Sequence, residues 1–103
     1  MSEQAAFLVI EVLSEPAHAD AKQAYLEKSA PIAQHYGGQL INTYRLCDSL
    51  NFDSHADALV IMSFPNFSAI NDLFADEQYK QLIPLRKQAF KSIKYTTAES
   101  LTT

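Results

Sequence analysis

The sequence is poor in cysteine and in positive charge, and both shortages exclude classes of protein. Its single cysteine, Cys47, allows no intrachain disulfide and favours a reducing, cytoplasmic setting. Eight lysines and arginines stand against twelve aspartates and glutamates, so the formal net charge is −4. A nucleic-acid-binding surface requires clustered cations, and we therefore expect no nucleic-acid partner.

Glycine is also scarce, since Gly37 and Gly38 are the only two in the chain and they are adjacent. A dinucleotide-binding loop requires three spaced glycines between a strand and the helix that follows it. Here the pair follows a predicted helix and precedes a predicted strand. Glycine adopts the left-handed conformation at little cost, so this order predicts a helix cap. We expect no cofactor: no phosphate loop is present, and no histidine is clearly placed as an axial ligand for haem.

Long apolar runs are missing too. The apolar residues from Ala5 to Val12 are interrupted by Glu11, and no basic segment precedes them. This pattern predicts neither a signal peptide nor a transmembrane helix, and so no membrane partner. The acidic residues and His55 around the segment 47–57 match neither EF-hand nor zinc spacing, and we expect no metal site.

What the chain does contain is enough apolar material for one core. Hydrophobic residues make up 48% of the 103 residues, which predicts a single domain over 1–103 with its core at about 7–98. Pro31 and Pro84 fall inside helical patterns and should kink or divide them. The order β-α-β-β-α-β is the ferredoxin-like pattern, an α+β fold with a four-stranded antiparallel sheet and helices on one face. We expect strands at about 7–13, 39–46, 57–64 and 93–97, long helices at about 17–36 and 77–90, and a short extra helix after Asn66.

The predicted sheet is apolar on both faces. In the first strand, Phe7, Val9 and Leu13 share one face. The other face carries Leu8, Ile10 and Val12 and is equally apolar. Two helices cover only one face, and monomers seldom expose a large apolar patch. A second copy packing sheet to sheet about a two-fold axis would cover the other face. The sequence therefore predicts a homodimer.

Arg86 is the residue that fits its surroundings least. It follows Tyr79 by seven positions on the predicted helix, so both fall on the core-facing side if the helix continues past Pro84. A buried guanidinium requires a partner, because an unpaired buried charge is very costly. That partner is either Glu11, in the first strand, or an anionic ligand such as a carboxylate. Both alternatives remain open.

Tyrosines also project from the predicted core-facing stripes of the helices. They either fill the core with a polar tip at its rim, or line a pocket for an aromatic or oxygenated ligand. His35, near the end of the first helix, is either a helix-end residue favoured by the dipole or a general base. The candidate ligand-binding residues are Arg86, Tyr79, Tyr25 and Glu11, and the candidate catalytic residues are His35 and Tyr36.

Several blocks of the sequence resemble one known family. Tyr25, "PIAQHYGGQL", "LVIMSFPNFSA" and "YKQLIPLRKQA", in this order, are similar to the signature of the small bacterial domains of unknown function numbered thirteen-thirty. The resemblance covers about residues 7–98 and departs from the family at Gln39, where arginine is usual, and in the glycine-free loop 47–56. The matching residues are Tyr25, Pro31, Gly37, Gly38, Phe64, Pro65, Tyr79 and Arg86.

The resemblance implies a place in the dimeric α/β-barrel superfamily, in which two ferredoxin-like sheets pack to form a barrel. The family has no established activity to carry over. The superfamily includes cofactor-independent monooxygenases, isomerases and haem-handling proteins, with a pocket between sheet and helices. A shared fold does not by itself identify a function.

Three functions are compatible with these features. The first is a homodimer that binds a small oxygenated or anionic molecule between sheet and helices, beside Arg86 and Tyr79. The second is a cofactor-independent monooxygenase or isomerase with His35 or Tyr36 as acid or base. The third is a structural or regulatory dimer without chemistry. The environment of Arg86 discriminates among them.

Overall fold

The fold follows the predicted order of elements. The computed structural model describes residues 5–53 and 56–101. A single 3₁₀ turn precedes the first helix, and the long C-terminal helical pattern is divided into shorter pieces. The elements are β1 (Ala6–Ser14), α1 (Ala19–His35), β2 (Gln39–Arg45), β3 (Ala58–Phe64), α2 (Phe67–Ala75), α3 (Glu77–Lys80), α4 (Ile83–Ala89) and β4 (Phe90–Ala98).

The four strands form one antiparallel sheet in the order β2-β3-β1-β4. β1 is central and pairs with both β3 and β4, so the apolar run predicted as a buried strand lies in the middle of the sheet. The α+β, ferredoxin-like prediction is confirmed. β4 begins at Phe90, before the predicted start at 93, because α4 leads into the strand without a loop.

The two prolines inside helical patterns behave differently. Pro31 is exposed and α1 continues through it as one helix, since a carbonyl freed by the missing N–H can bond to water at an exposed position. Pro84 stands in the first turn of α4, where an N–H has no helical partner anyway. The predicted break at Pro84 is therefore confirmed, and division of α1 at Pro31 is not observed.

The adjacent glycines end α1, as predicted. Gly37 has φ of +84°, and its N–H donates to the carbonyl of Gln34 at 2.9 Å. The N–H of Gly38 donates to the carbonyl of Ala33, also at 2.9 Å. A Cβ at Gly38 would lie 2.8 Å from the ring of Phe64, so this glycine also permits close packing against the end of β3. The pair therefore terminates the helix and brings it against the sheet.

The core lies between the helices and one face of the sheet, where Leu8, Phe64 and Ile70 are the largest fully buried side chains. The opposite face carries Val9, Leu59 and Ile61, which are only half-buried. In the part of the chain that the structure describes, the helices pack on the first of these faces. No helix within residues 5–53 and 56–101 is long and apolar enough to cross a membrane.

Candidate functional site

A cavity of about 470 Å³ separates α1 from the helix-covered face of the sheet. Leu8, Ile10 and Val12 of β1 form part of its floor, together with Val60 and Met62 of β3. This volume lies within the usual range for small-molecule sites, roughly 300–1,000 Å³. The lining is predominantly apolar, so the cavity suits a ligand with an apolar body.

Small side chains on α1 explain why the cavity is open. The wall that α1 contributes includes Ser29, Ala30 and Ala33, none of which reaches far towards the sheet. Protein interiors are otherwise packed to nearly crystalline density, so a row of small residues facing a sheet leaves space that neighbouring side chains do not fill. Small residues at these positions of α1 therefore leave room for the cavity.

Three tyrosines line this cavity, and we call Tyr25, Tyr79 and Tyr95 the tyrosine cluster. The hydroxyl oxygens of Tyr25 and Tyr79 are 2.8 Å apart. The hydroxyl of Tyr95 lies 3.1 Å from that of Tyr25 and 3.0 Å from that of Tyr79. Each phenol can donate one hydrogen bond and accept others, so the three form a closed hydrogen-bonded triangle.

The cluster is assembled from three elements and held by aromatic packing. Tyr25 comes from α1, Tyr79 from α3 and Tyr95 from β4. Phe74 meets the rings of Tyr79 and Tyr95 edge-on at centroid distances of 5.3 and 4.8 Å. Phe90 meets Tyr25 in the same way at 5.8 Å. Such edge-to-face contacts fix ring orientation, so the hydroxyl groups are held in place before any ligand arrives.

Burial keeps Tyr25 and Tyr95 neutral. Loss of contact with water raises the pKa of Tyr25 and of Tyr95 above the ordinary value for a phenol. Both neighbouring phenols add to the effect for Tyr25, whereas for Tyr95 only Tyr79 does. The two groups therefore stay protonated at physiological pH. They can donate and accept hydrogen bonds, but they do not serve as bases.

Arg86 lies behind the cluster. Its Nη1 donates to the hydroxyl of Tyr79 at 3.0 Å, and its guanidinium carbon is 5.9 and 5.5 Å from the ring centroids of Tyr79 and Tyr95. Partial burial works to lower the pKa of Arg86, but the Tyr79 hydrogen bond and the nearby phenol oxygens raise it overall, so the side chain stays charged. Arg86 is not among the residues that line the cavity.

Glu11 is not the partner of Arg86, which rules out the first of the two alternatives. Glu11 stands between Ile10 and Val12, which both line the cavity, so its side chain lies on the opposite face of the sheet. There it is exposed and opposite Lys94 of β4. Tyr79, rather than a carboxylate, is the hydrogen-bonding partner of Arg86. Glu11 is thus remote from the other predicted ligand-binding residues, whereas Tyr25 and Tyr79 are brought together.

His35 and Tyr36, the predicted catalytic candidates, do not line this cavity. The hydroxyl of Tyr36 donates to Asp76 Oδ2 at 2.6 Å, while Asp76 Oδ1 accepts from the N–H of Tyr79 at the start of α3. That hydrogen bond to Asp76 raises the pKa of Tyr36 and lowers the pKa of Asp76. His35 lines a separate, shallower depression with Asp76, Glu77 and Gln78. A catalytic role for either residue stays a prediction.

Sequence reasoning missed two residues at the cavity. Tyr95 completes the cluster, and its position on β4 two residues after Ile93 places both on the helix-covered face. Lys22 lines the cavity from α1, and its Nζ donates to Ser14 Oγ at 3.0 Å. Its spacing of three residues before Tyr25 was a usable signal, since such neighbours share a helix face.

Within residues 5–53 and 56–101, no three histidine, cysteine, aspartate or glutamate side chains are grouped as a metal site would need. His55 lies outside the described residues.

The fold is similar to several solved structures. RPA0582 of Rhodopseudomonas palustris, a protein of unknown function, aligns with a TM-score of 0.80 and 21% identity, covering 98% of this chain and 85% of that one. PA3566 of Pseudomonas aeruginosa aligns at 0.67 and 16%, covering 99% of both chains. SnoaB of Streptomyces nogalater, a cofactor-independent oxygenase, aligns at 0.70 and 9%, covering 98% and 97%. At these identities the likeness concerns the fold alone.

Sequence comparison gives the family. Comparison with curated proteins finds no significant match. The family model for a domain of unknown function, DUF1330, matches residues 5–97. That match includes the residues of the tyrosine cluster and the paired glycines, and it agrees with the resemblance inferred from the sequence blocks. The chain belongs to the DUF1330 family.

Proposed function

We propose that this protein binds a small, largely apolar molecule in the cavity under α1, with an oxygen atom of that molecule hydrogen-bonded to the tyrosine cluster. The observation that carries the proposal is an apolar cavity of about 470 Å³ with three phenol groups on one wall. Sites of this kind bury the body of a ligand by the hydrophobic effect and orient it through a few polar groups.

The chemistry of the cluster favours a ligand oxygen that accepts a hydrogen bond. In the closed triangle each hydroxyl can bond to another hydroxyl, and no buried polar side-chain atom among the described residues lacks a partner. A ligand oxygen would replace one of those internal bonds. Because Arg86 donates to Tyr79, the Tyr79 hydroxyl is polarised and becomes a better donor. Carbonyl, carboxylate and phenolic oxygens fit this description.

Calorimetric titration with aromatic probes tests the proposal. We expect 2-acetylnaphthalene to bind more tightly than naphthalene, because its carbonyl oxygen can accept from the cluster. The variants Tyr25→Phe and Tyr95→Phe should reduce that preference by several-fold, since a neutral hydrogen bond contributes about 1 kcal/mol. Tyr44→Phe is the matched control, because Tyr44 is exposed and lies outside the cavity. Failure of both probes to bind would refute the proposal.

A second candidate is a cofactor-independent oxygenase or isomerase. Neutral phenols beside a guanidinium can stabilise negative charge that develops on a substrate oxygen, as enolate chemistry requires. The shared fold with SnoaB supports only the architecture. The enolisable ketone 2-tetralone provides a test. If the protein is a catalyst, oxygen uptake or proton exchange of this ketone should be faster with the protein than in buffer. The increase in rate should be lost in Arg86→Met. Equal rates with and without protein would leave binding as the function.

We also propose that the protein works as a homodimer through the open face of the sheet. Val9, Leu59 and Ile61 lie on that face half-buried in one chain, and Tyr44 of the edge strand β2 is 46% exposed. A second copy of the chain, related by a two-fold axis, is the simplest way to cover this surface. If no probe binds in the cavity, the remaining function is a structural or regulatory dimer without chemistry.

The exposed free thiol of Cys47 favours a reducing, cytoplasmic compartment.

A further inference from the structure

Lys22 is a cation on the wall of an apolar cavity, and no ion pair among the described residues neutralises its charge. Its side chain is half-buried, and its Nζ donates to the hydroxyl of Ser14 at 3.0 Å. Across residues 5–53 and 56–101, no aspartate or glutamate forms a salt bridge with it. A partly desolvated ammonium gains from an anionic partner, and the cavity is open to one.

Asp57 shares the partner Ser14 with Lys22, and its carboxylate is engaged with that serine. Its Oδ2 accepts from the Ser14 N–H at 3.2 Å, and its Oδ1 lies 3.4 Å from Ser14 Oγ. Ser14 therefore connects the lysine to the carboxylate and holds both near the end of β1. The ammonium has three protons and one is donated to Ser14, so it keeps the capacity to bond to a ligand.

Lys22 and the tyrosine cluster line the same cavity. Lys22 and Tyr25 are three residues apart in α1, which places their Cβ atoms about 5–6 Å from each other on the same helix face. Both line the cavity. A ligand can therefore present one group to the ammonium and a second oxygen to the phenols, with its apolar body against Val60 and Met62.

We propose that Lys22 binds the carboxylate of an amphipathic ligand, and that the cluster bonds to a further oxygen of the same ligand; this inference rests on the proposed function. It assigns anion recognition to Lys22 rather than to Arg86, whose guanidinium is behind the tyrosines and already donates to Tyr79. The ligand class is thus a small apolar carboxylic acid, aromatic or aliphatic, that carries a second polar oxygen.

A pair of nearly isosteric probes separates the charge from the shape. 2-Naphthoate and 2-acetylnaphthalene share the ring system, and only the first is anionic. We expect Lys22→Met to weaken 2-naphthoate binding about tenfold or more while leaving the affinity for 2-acetylnaphthalene within about twofold, since hydrogen bonds to charged groups contribute more than neutral ones. Lys22→Arg should retain most of the naphthoate affinity, and added salt should weaken naphthoate binding to wild type more than to Lys22→Met.

Lys28→Met is the matched control for this experiment. Lys28 lies on the same helix but is exposed and does not line the cavity, so its replacement should change neither affinity. Unchanged binding of 2-acetylnaphthalene to Lys22→Met would show that the variant is folded with its cavity intact.

The outcomes that overturn the two proposals differ. If 2-acetylnaphthalene binds to wild type but 2-naphthoate does not, or if Lys22→Met binds naphthoate as tightly as wild type, Lys22 merely extends its charge to solvent. The cavity function would survive that result. If neither probe binds to wild type, both proposals fall together.

Discussion

At the scale of single residues, Arg86 has a structural role that is separable from ligand binding. Its guanidinium donates to Tyr79 and lies over the rings of Tyr79 and Tyr95. A methionine at this position keeps an apolar stem against the rings but removes the charge and the donors. The residue is only half-buried, so solvent screening reduces the contribution of its charge.

We therefore expect Arg86→Met to lower the free energy of unfolding by about 1 kcal/mol, because one charge-assisted hydrogen bond and two cation–π contacts are lost. Urea titration followed by tyrosine fluorescence measures this change. Arg86→Lys should recover part of it, since the charge is kept without the planar fork. An unfolding free energy equal to that of wild type would mean that the guanidinium adds nothing to stability.

Residue by residue, the sequence predicted part of the site. Tyr25 and Tyr79 fall on helical stripes, and both are buried at the cavity as the pattern indicates. Glu11 was assigned to the wrong surroundings for a physical reason. Strand alternation tells which residues share a face, but with both faces apolar it does not tell which face the helices cover. Lys22 was overlooked because a charged residue on a helix is ordinarily read as solvent-exposed.

At the scale of elements, the paired glycines allow the end of α1 to pack closely against the end of β3. Replacing Gly38 by alanine would place a Cβ 2.8 Å from the ring of Phe64 and 2.9 Å from the carbonyl oxygen of Ala33. Phe64 is among the largest fully buried side chains and cannot move freely. We expect Gly38→Ala to destabilise the protein by roughly 1–3 kcal/mol, the usual range for overpacking.

Thermal unfolding of Gly38→Ala beside Gln39→Ala provides the measurement. Gln39 is the next residue and is exposed in β2, so its replacement should leave the melting temperature nearly unchanged. Equal melting temperatures for the two variants would show that the helix end adjusts to a Cβ without cost.

The end of α1 is also tied to the start of α3, through Tyr36 and Asp76. The pKa of Asp76 is lowered in the folded state, chiefly by the hydrogen bond from Tyr36. Its stabilising contribution is therefore present above the unfolded pKa, ordinarily about 3.9, and is lost as the pH falls through the folded value. Tyr36 has a raised pKa, so its contribution is present below about pH 10 and is lost above the folded value.

We accordingly expect the urea midpoint of wild type to fall between neutral pH and about pH 3, and Tyr36→Phe to fall less over the same interval. Parallel midpoint curves for the two proteins would contradict a coupling between these side chains. The variant should keep the affinity of the cavity for 2-acetylnaphthalene, because Tyr36 does not line it.

The order and type of the elements were well predicted. Their exact ends depend on contacts between elements, which the sequence alone does not show. The break at Pro84 was predictable because proline is tolerated in a first turn. In β2, however, a bulge after Leu40 shifts the alternation, so that Leu40 and Thr43 both line the cavity. Only the pairing partner β3 determines where an extra residue is accommodated.

At the scale of the whole molecule, the sheet has one face occupied by the core and one face without cover in a single chain. The uncovered face includes Val9 and Ile61, which are paired across the two central strands. Burying this surface between two copies would remove an apolar patch from water and contribute to stability in proportion to the area. Such a dimer would also make unfolding depend on protein concentration.

Replacing one central residue of that face tests the assembly. In size-exclusion chromatography with light scattering, we expect wild type to have twice the 11.5 kDa mass of one chain at micromolar concentration. Ile61→Lys should shift the mass to that of one chain, because two-fold symmetry would place two unpaired charges in one apolar interface. Leu50→Lys is the control, since Leu50 is 92% exposed in the loop after β2 and should leave the mass unchanged. A wild-type mass of one chain would refute the dimer, whereas the cavity, which lies on the other face of the sheet, would be unaffected and still open to the ligand experiments.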